Sequence, residues 1–287
     1  MARHLLADDG AVMLMRASCD DAAARAESFL EAAPHLFRSN EQAGAGALRW
    51  GVDLGTATIV IAAVDSAGRP AYWDFLRAGV VRDGVVVDFH GAVDAVRRLK
   101  AHAEAVLGVG IEDANAAYPP GVPSSDCRAC AFVLQQAGIE CRRLVDEVSA
   151  ANALLQVADG AVVDVGGGST GVGVYRDGSL ARLDDMAGGG HHLDLIVAGA
   201  LRITVDEAEA RKRSDGAAML QILRPGIERI AESIRRQCGS QPAGAVHLAG
   251  GALQLPGADA VIENYLGWPV RSYPNAELIT PFGIALS

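Results

Sequence analysis

An α/β fold of two duplicated lobes is what this 287-residue sequence predicts. Two observations carry that expectation. The segments VDLGTATIVIAAVDSAGRP, from Val52, and VDVGGGSTGVGVYRDGSLA, from Val163, share one plan. Each opens Val-Asp-apolar-Gly, runs on in small and apolar residues, and meets a turn, DSAG at 65–68 or RDG at 176–178. Each therefore reads as a β-hairpin with an aspartate and a glycine-containing bend near the start of its first strand. The second observation is that both halves continue in the same order: strand, loop, helix, glycine, strand, acidic loop, final helix. Strands alternating with helices imply sheets with helical cover.

The elements follow in chain order. Residues 1–47 lie outside the repeat. The Ala-rich DDAAARAESFLEAA reads as a short helical extension and SNEQAGAGA as a flexible linker. A surface helix is the plain reading of the extension, and a docking helix for a partner the alternative. Lobe one spans 48–157. After its hairpin come VVRDGVVVDF and a helix near 91–107, where Val93, Val96, Leu99, Ala103 and Val106 share one face at helical spacing. A short strand, NAAYPP, precedes a helix near 125–137 and then GIECRRLVDEVSAANALL. Lobe two spans 158–287. Its strand GAVHLAGG leads to a helix near 257–266 and the closing GWPVRSYPNAELITPFGIALS.

Composition narrows the partners. Half the residues are hydrophobic, enough for a sizeable core. With 25 basic and 35 acidic residues the net charge is −10, and no basic stripe exists, which argues against nucleic acid and against an anionic membrane. No apolar run approaches the ~20 residues of a membrane helix. The acidic residues near the N-terminus argue against a secretory signal, and five cysteines without a small-domain framework fit a reducing cytosol. CRAC at 127–130 has no second pair to complete a zinc site, so its thiols read as ordinary helix cysteines.

The glycines and hydroxyls at the two bends point to phosphate. Two equivalent hairpins facing each other would present backbone N–H groups from opposite sides: Gly55, Thr56, Ala57 and Thr58 from one, Gly166, Gly167, Gly168, Ser169 and Thr170 from the other. Asp53 and Asp164 would oppose each other beside the phosphates, where they would repel a nucleotide unless Mg²⁺ stood between them, held through its waters. No Walker lysine motif occurs, so the site is not a P-loop. Gly188, Gly189 and Gly190 fall at the start of a helix, where free amides favour an anion. Gly250 and Gly251 fall at the carboxyl end of a strand, close to where an adenosine would pass. Glu209 and Lys212 share a helical face and would reach a ribose, with a solvated ion pair as the alternative. His191 and His192, adjacent on a helix, point apart and do not read as a metal pair.

These residues resemble known families. VDLGT, VVDVGGGST and HLAGG look like the first phosphate, second phosphate and adenosine motifs of the superfamily of actin, hexokinase and DnaK-type chaperones. LVDEVSAANALL resembles its first connecting segment and puts Glu147 where chaperones carry an acidic residue near the nucleotide; EARK is similar to the ribose-contacting Glu and Lys of bacterial actin-like proteins. Across 50–287, WGVDLGT, VVRDGVVVDFHGAV, YPPG, DVGGGSTG, GGGHHLDL, LAGGALQLPG and ITPFGIAL together resemble the EutJ family of ethanolamine-utilisation proteins. The resemblance implies an actin-like ATPase fold, two ribonuclease-H-like lobes around a nucleotide cleft, with ATP or ADP and Mg²⁺ as ligands. It also implies a catalytic set of Asp53, Glu147, Asp164 and Ser169.

It further implies a cytoplasmic, chaperone-like protein encoded with bacterial microcompartments. Its clients would be ethanolamine ammonia-lyase or the shell proteins around it, which it would protect, refold or help assemble. A reactivase for a cobalamin enzyme and a nucleotide-inert scaffold are the alternatives. The sequence stops soon after ITPFGIAL, so the peptide-binding domain of full chaperones is expected to be absent. Three departures bear on chemistry. Ala57 stands where chaperones have a second Thr or Ser, Gly171 where they carry a water-positioning Asp, and their catalytic Lys has no counterpart. Slow Mg-dependent ATP hydrolysis, or none, is the expectation, since positioning and charge stabilisation supply most phosphoryl-transfer catalysis.

Overall fold

The computed structural model describes residues 8–40, 46–82, 85–122 and 124–287. Most of the linker expected at 39–47 lies outside them. Helix α1 (Asp8–Ala32) leads through a 3-10 turn to the hairpin β1 (Arg49–Leu54) and β2 (Thr58–Val64), followed by β3 (Pro70–Arg77). A small ribbon, β4 (Val81–Arg82) with β5 (Val85–Val86), precedes α2 (Phe89–Leu107). Then come β6 (Asp113–Tyr118), α3 (Ser124–Gln136), β7 (Glu140–Asp146) and α4 (Glu147–Leu155). The second half has β8 (Gly160–Val165), β9 (Ser169–Arg176) and β10 (Ser179–Ala187), then three helices: α5 (Gly190–Leu201), α6 (Val205–Ser214) and α7 (Gly216–Cys238). It closes with β11 (Val246–Ala249), α8 (Ala258–Leu266), β12 (Val270–Arg271) and α9 (Ile279–Leu286).

The duplication is visible in the sheets. One runs β3-β2-β1-β6-β7 and the other β10-β9-β8-β11-β12, the same order twice. In each, the hairpin strands pair antiparallel and the later strands parallel. The aspartates of the two hairpins occupy matching places, Asp53 across from Val60 and Asp164 across from Gly171. Side-chain caps set the helix starts. Asp88 accepts from Gly91 N at 2.9 Å at the head of α2, and Asp146 from Ser149 N at 2.7 Å at the head of α4. The second cap puts Glu147 in the first helical turn, at the end of a parallel strand.

Each lobe has its own core. Val93, Val96, Leu99 and Ala103 of α2 are buried against sheet one, as their spacing predicts, and Leu223, Ile227, Ile230 and Ile234 of α7 do the same for lobe two. A third cluster joins the lobes around α4 and α9, with Val148, Leu155, Val162, Tyr175, Tyr273 and Phe282. Helix α1 belongs to that cluster and is not the solvated surface helix its composition suggests. Ala23, Ala26 and Leu30, with Ala33 of the 3-10 turn that follows, form a narrow apolar face that lets it lie close. Together with that turn it touches both lobes: Trp73 Nε1 donates to Ala33 O at 2.9 Å, Asn275 Nδ2 donates to Leu30 O at 3.0 Å, and Phe29 meets Phe282 edge-on at 5.1 Å.

Candidate functional site

The two hairpin bends meet. A Cβ placed on Gly167 would stand 3.5 Å from Thr56 Cβ and 3.6 Å from Ala57 Cβ, so the glycine loop of lobe two lies directly on the loop of lobe one. Gly166 N donates to Ser169 O at 3.1 Å and closes the second bend into a tight turn. The amides of Gly55, Thr56, Gly167 and Gly168 make no backbone hydrogen bond among the described residues outside the helices and strands. Two rows of polar donors thus flank one short seam, the arrangement an anion needs.

At the start of α5 the amides of Gly188 and Gly190 are not free, contrary to the expectation for them, while Gly189 N makes no such backbone bond among the described residues. Gly188 N donates to Gly168 O, Gly190 N to Gly166 O and His191 N to Gly167 O, each at 2.9 Å. The helix end braces the glycine loop through the loop's carbonyls. Thr170 Oγ1 adds a bond to Gly188 O at 2.7 Å. His191 and His192 are both exposed, with ring planes 73° apart.

Four carboxylates converge beside the loops. Burial, followed by the charge of Asp164, pushes Asp53 up to about 7. Burial also raises Asp164 to about 6, with Asp185 adding to it while the Thr280 hydroxyl, donating to Oδ2 at 2.5 Å, pulls the other way. Glu147 lies well above the usual carboxylate range, first through burial and then through Asp164, Asp53, Asp185 and Asp146. Asp185 stands at about 6 through burial and the neighbouring Asp184, opposed by a hydrogen bond from Ser169. Sequence reading singled out Asp53, Glu147, Asp164 and Ser169 and missed Asp185. The one signal for it is register: Asp185 sits opposite Gly171 in the β9–β10 ladder.

The residues expected on an adenosine side are distributed differently. Gly250 has φ +85°, and a Cβ there would run into Val165 O and Asp164 Oδ1, so the strand end requires glycine to pass over the carboxylate. Gly251 lies open beside Glu277. Lys212 is buried, paired with Asp194 at 2.6 Å and donating to Gly190 O at 3.1 Å. It ties α6 to the start of α5, while Glu209 pairs with Arg213 at 2.8 Å. Lys212→Ala is expected to cost about 3 kcal/mol in thermal unfolding, because it leaves a buried carboxylate without its partner. The double variant with Asp194→Ala should recover most of that loss.

The chain is 36% identical over 259 residues to the ethanolamine utilization protein EutJ of Salmonella typhimurium, covering 90% of this chain and 92% of that protein. This chain belongs to the EutJ family. The crystal structure of EutJ from Carboxydothermus hydrogenoformans superposes with a TM-score of 0.87 at 36% identity, over 92% of this chain and 98% of that one. A match of 259 residues in a 287-residue chain also takes in residues 29–47, so the family likeness reaches into the segment before the first lobe. More distantly, this EutJ-family chain matches MreB5 of Spiroplasma citri bound to AMPPNP, with a TM-score of 0.66 at 16% identity over 82% of this chain and 94% of that one. A family model described as cell division protein FtsA matches residues 161–281. The fold is the actin-like ATPase fold. Among the described residues no helix is long and apolar enough to cross a membrane.

Proposed function

We propose that this EutJ-family protein is a Mg-nucleotide switch of ethanolamine utilisation. ATP, held between the loops at Gly55–Thr58 and Gly166–Ser169, would draw the lobes together and alter a surface felt by ethanolamine ammonia-lyase or by microcompartment shell proteins. Its role on those clients, in the cytoplasm, is chaperone-like: assembly, protection or refolding. The observation that carries the reading is the convergence of Asp53, Glu147, Asp164 and Asp185 beside two touching phosphate-type loops. One buried and three half-buried carboxylates that repel one another are costly to hold together without a cation. A Mg²⁺ ion shared by Asp53 and Asp164 offsets that repulsion and neutralises a polyphosphate. Among the described residues no group of three or more acidic, His or Cys side chains forms a ready cage, so such an ion keeps several waters.

Gly250 and Gly251 would pass the adenosine. Glu209 faces the ribose by trading Arg213 for a hydroxyl, and Lys212 supports that side through Asp194 and Gly190 rather than by direct contact. The nucleotide found in MreB5 supports this placement by analogy of fold. To move the chain from mostly open to mostly closed, ATP must favour the closed form by about 5 kcal/mol. Calorimetric titration of ATP, ADP and a non-hydrolysable analogue, with and without Mg²⁺, is the test. Mg-dependent binding is the expected result; no binding at millimolar nucleotide would leave a nucleotide-inert scaffold.

A further inference from the structure

We propose that Asp185 Oδ1 holds the water that attacks the terminal phosphate of a bound nucleoside triphosphate. The inference rests on the reading of the cleft as a nucleotide site and assigns a task to a residue outside the two phosphate loops. Three structural facts support it. Asp185 Oδ1 is buried and has no hydrogen-bond partner among the described residues. A buried carboxylate oxygen without a donor is costly and rare in folded proteins, so it points to a polar group that it binds in the working state. The carboxylate is also fixed by strand register, since Asp185 pairs with Gly171 and Ala187 with Ser169 at the end of the glycine loop.

The third fact is its position between the lobes. Asp185 belongs to β10 of lobe two, yet a Cβ on Gly121 of lobe one would lie 3.8 Å from Asp185 Cβ. A Cβ on Gly171, its partner across the ladder, would lie 3.5 Å from Oδ1 and 2.9 Å from Val148 Cγ2. The bare glycine therefore leaves room for the Asp185 carboxylate to turn inward over β9. Its neighbour Asp184 pairs with Arg182 at 3.3 Å. Pro120 and Gly121 of lobe one thus already stand against Asp185 and Gly171, on the side from which they would shield a held water from bulk solvent.

The step balances without a further reactant. The water oxygen forms a bond to the γ-phosphorus as the bond from that phosphorus to the bridging oxygen breaks, its electron pair leaving on ADP. One water proton passes to Asp185 Oδ1 and from there to the departing phosphate.

Asp185→Asn keeps the shape and removes the charge. Three quantities are measured on wild type and variant with Mg²⁺: affinity for ADP, affinity for ADP with aluminium fluoride, and single-turnover cleavage of ATP. Losing a charged acceptor of one water is expected to weaken the aluminium fluoride complex about tenfold or more. Cleavage should slow by on the order of 100-fold. ADP affinity should stay within about twofold, since ADP has no attacking water to hold, and that same result reports an intact fold. An unchanged aluminium fluoride complex in the variant overturns the proposal. So does a wild type that binds ADP but forms no such complex and cleaves no ATP. Failure of the wild type to bind ADP at all overturns the nucleotide reading as well.

Discussion

Gly283→Ala is expected to destabilise the protein by about 3 kcal/mol or more, which lowers the melting temperature by roughly 6–12 °C for a chain of this size. Gly283 lies in α9 where that helix crosses α4, and the Cβ of an alanine would overlap the carbonyl oxygen of Ala150, with the carbonyl carbon at 2.6 Å. Both obstacles are backbone, so no rotamer change relieves them and the helices must move apart. The same helix is pinned on its other side, since a Cβ on Gly51 of β1 would stand 2.6 Å from Ala285 N. Separating α4 from α9 therefore disturbs the cluster that joins the lobes, including Val148, Ile279 and Phe282. Alanine is the better helix former by about 1 kcal/mol, which is too little to compensate. Gly199→Ala, in exposed α5 with nothing within 4 Å of its Cβ, is the control and should be neutral or stabilising. A Gly283→Ala protein melting within 2 °C or so of wild type would remove the steric argument.

The second large effect concerns Asp164→Asn. Asparagine retains an acceptor for Thr280 and fits under Gly250, so packing is preserved while one charge is lost. In the absence of nucleotide and Mg²⁺, the wild-type protein should lose stability as pH rises. Asp53, Asp164 and Asp185 have folded-state values of about 7, 6 and 6, above the ordinary 3.8. The folded state therefore binds more protons than the unfolded chain between those values. The contribution is fully present below about pH 4 and disappears as pH passes through 6 to 7. Melting temperature in EDTA should fall from pH 5 to pH 8, and Mg²⁺ with ATP should restore it. Asp164→Asn should flatten the fall, melting above wild type at pH 8 and level with it near pH 5. Its affinity for Mg·ATP should drop by ~10- to 100-fold, the usual loss when a group that orients a metal's water is removed. An apo melting temperature independent of pH would contradict the picture of crowded carboxylates. Unchanged Mg·ATP affinity would separate Asp164 from the metal.

Much of the proposed site is readable from local pattern. Asp53 and Asp164 stand out because an aspartate followed by an apolar residue and glycine ends an apolar run twice. Gly250 stands out because glycine pairs at strand ends have few other uses. Glu147 came through family likeness, and its place at the head of α4 depends on the Asp146 cap. Lys212 shows the limit of local reasoning. Three residues from Glu209 on a helix, it looks solvent-facing, but Asp194 of α5 draws it inward.

The order of strands and helices, the duplication and the two glycine bends are properties of short segments, each set by backbone freedom and hydrophobic period over a few residues. They needed nothing from the rest of the chain. Which carboxylates face one another was settled by strand register and helix contact. Asp185 enters the site because β10 pairs with β9 at Gly171, a residue with no side chain to exclude it. Helix α1 joins the lobes because its alanine face fits against α4 and α9, and a small-residue face in sequence does not say what lies across from it. Charge and burial act through space, and the distances they depend on exist only once the two sheets have folded against their shared helices.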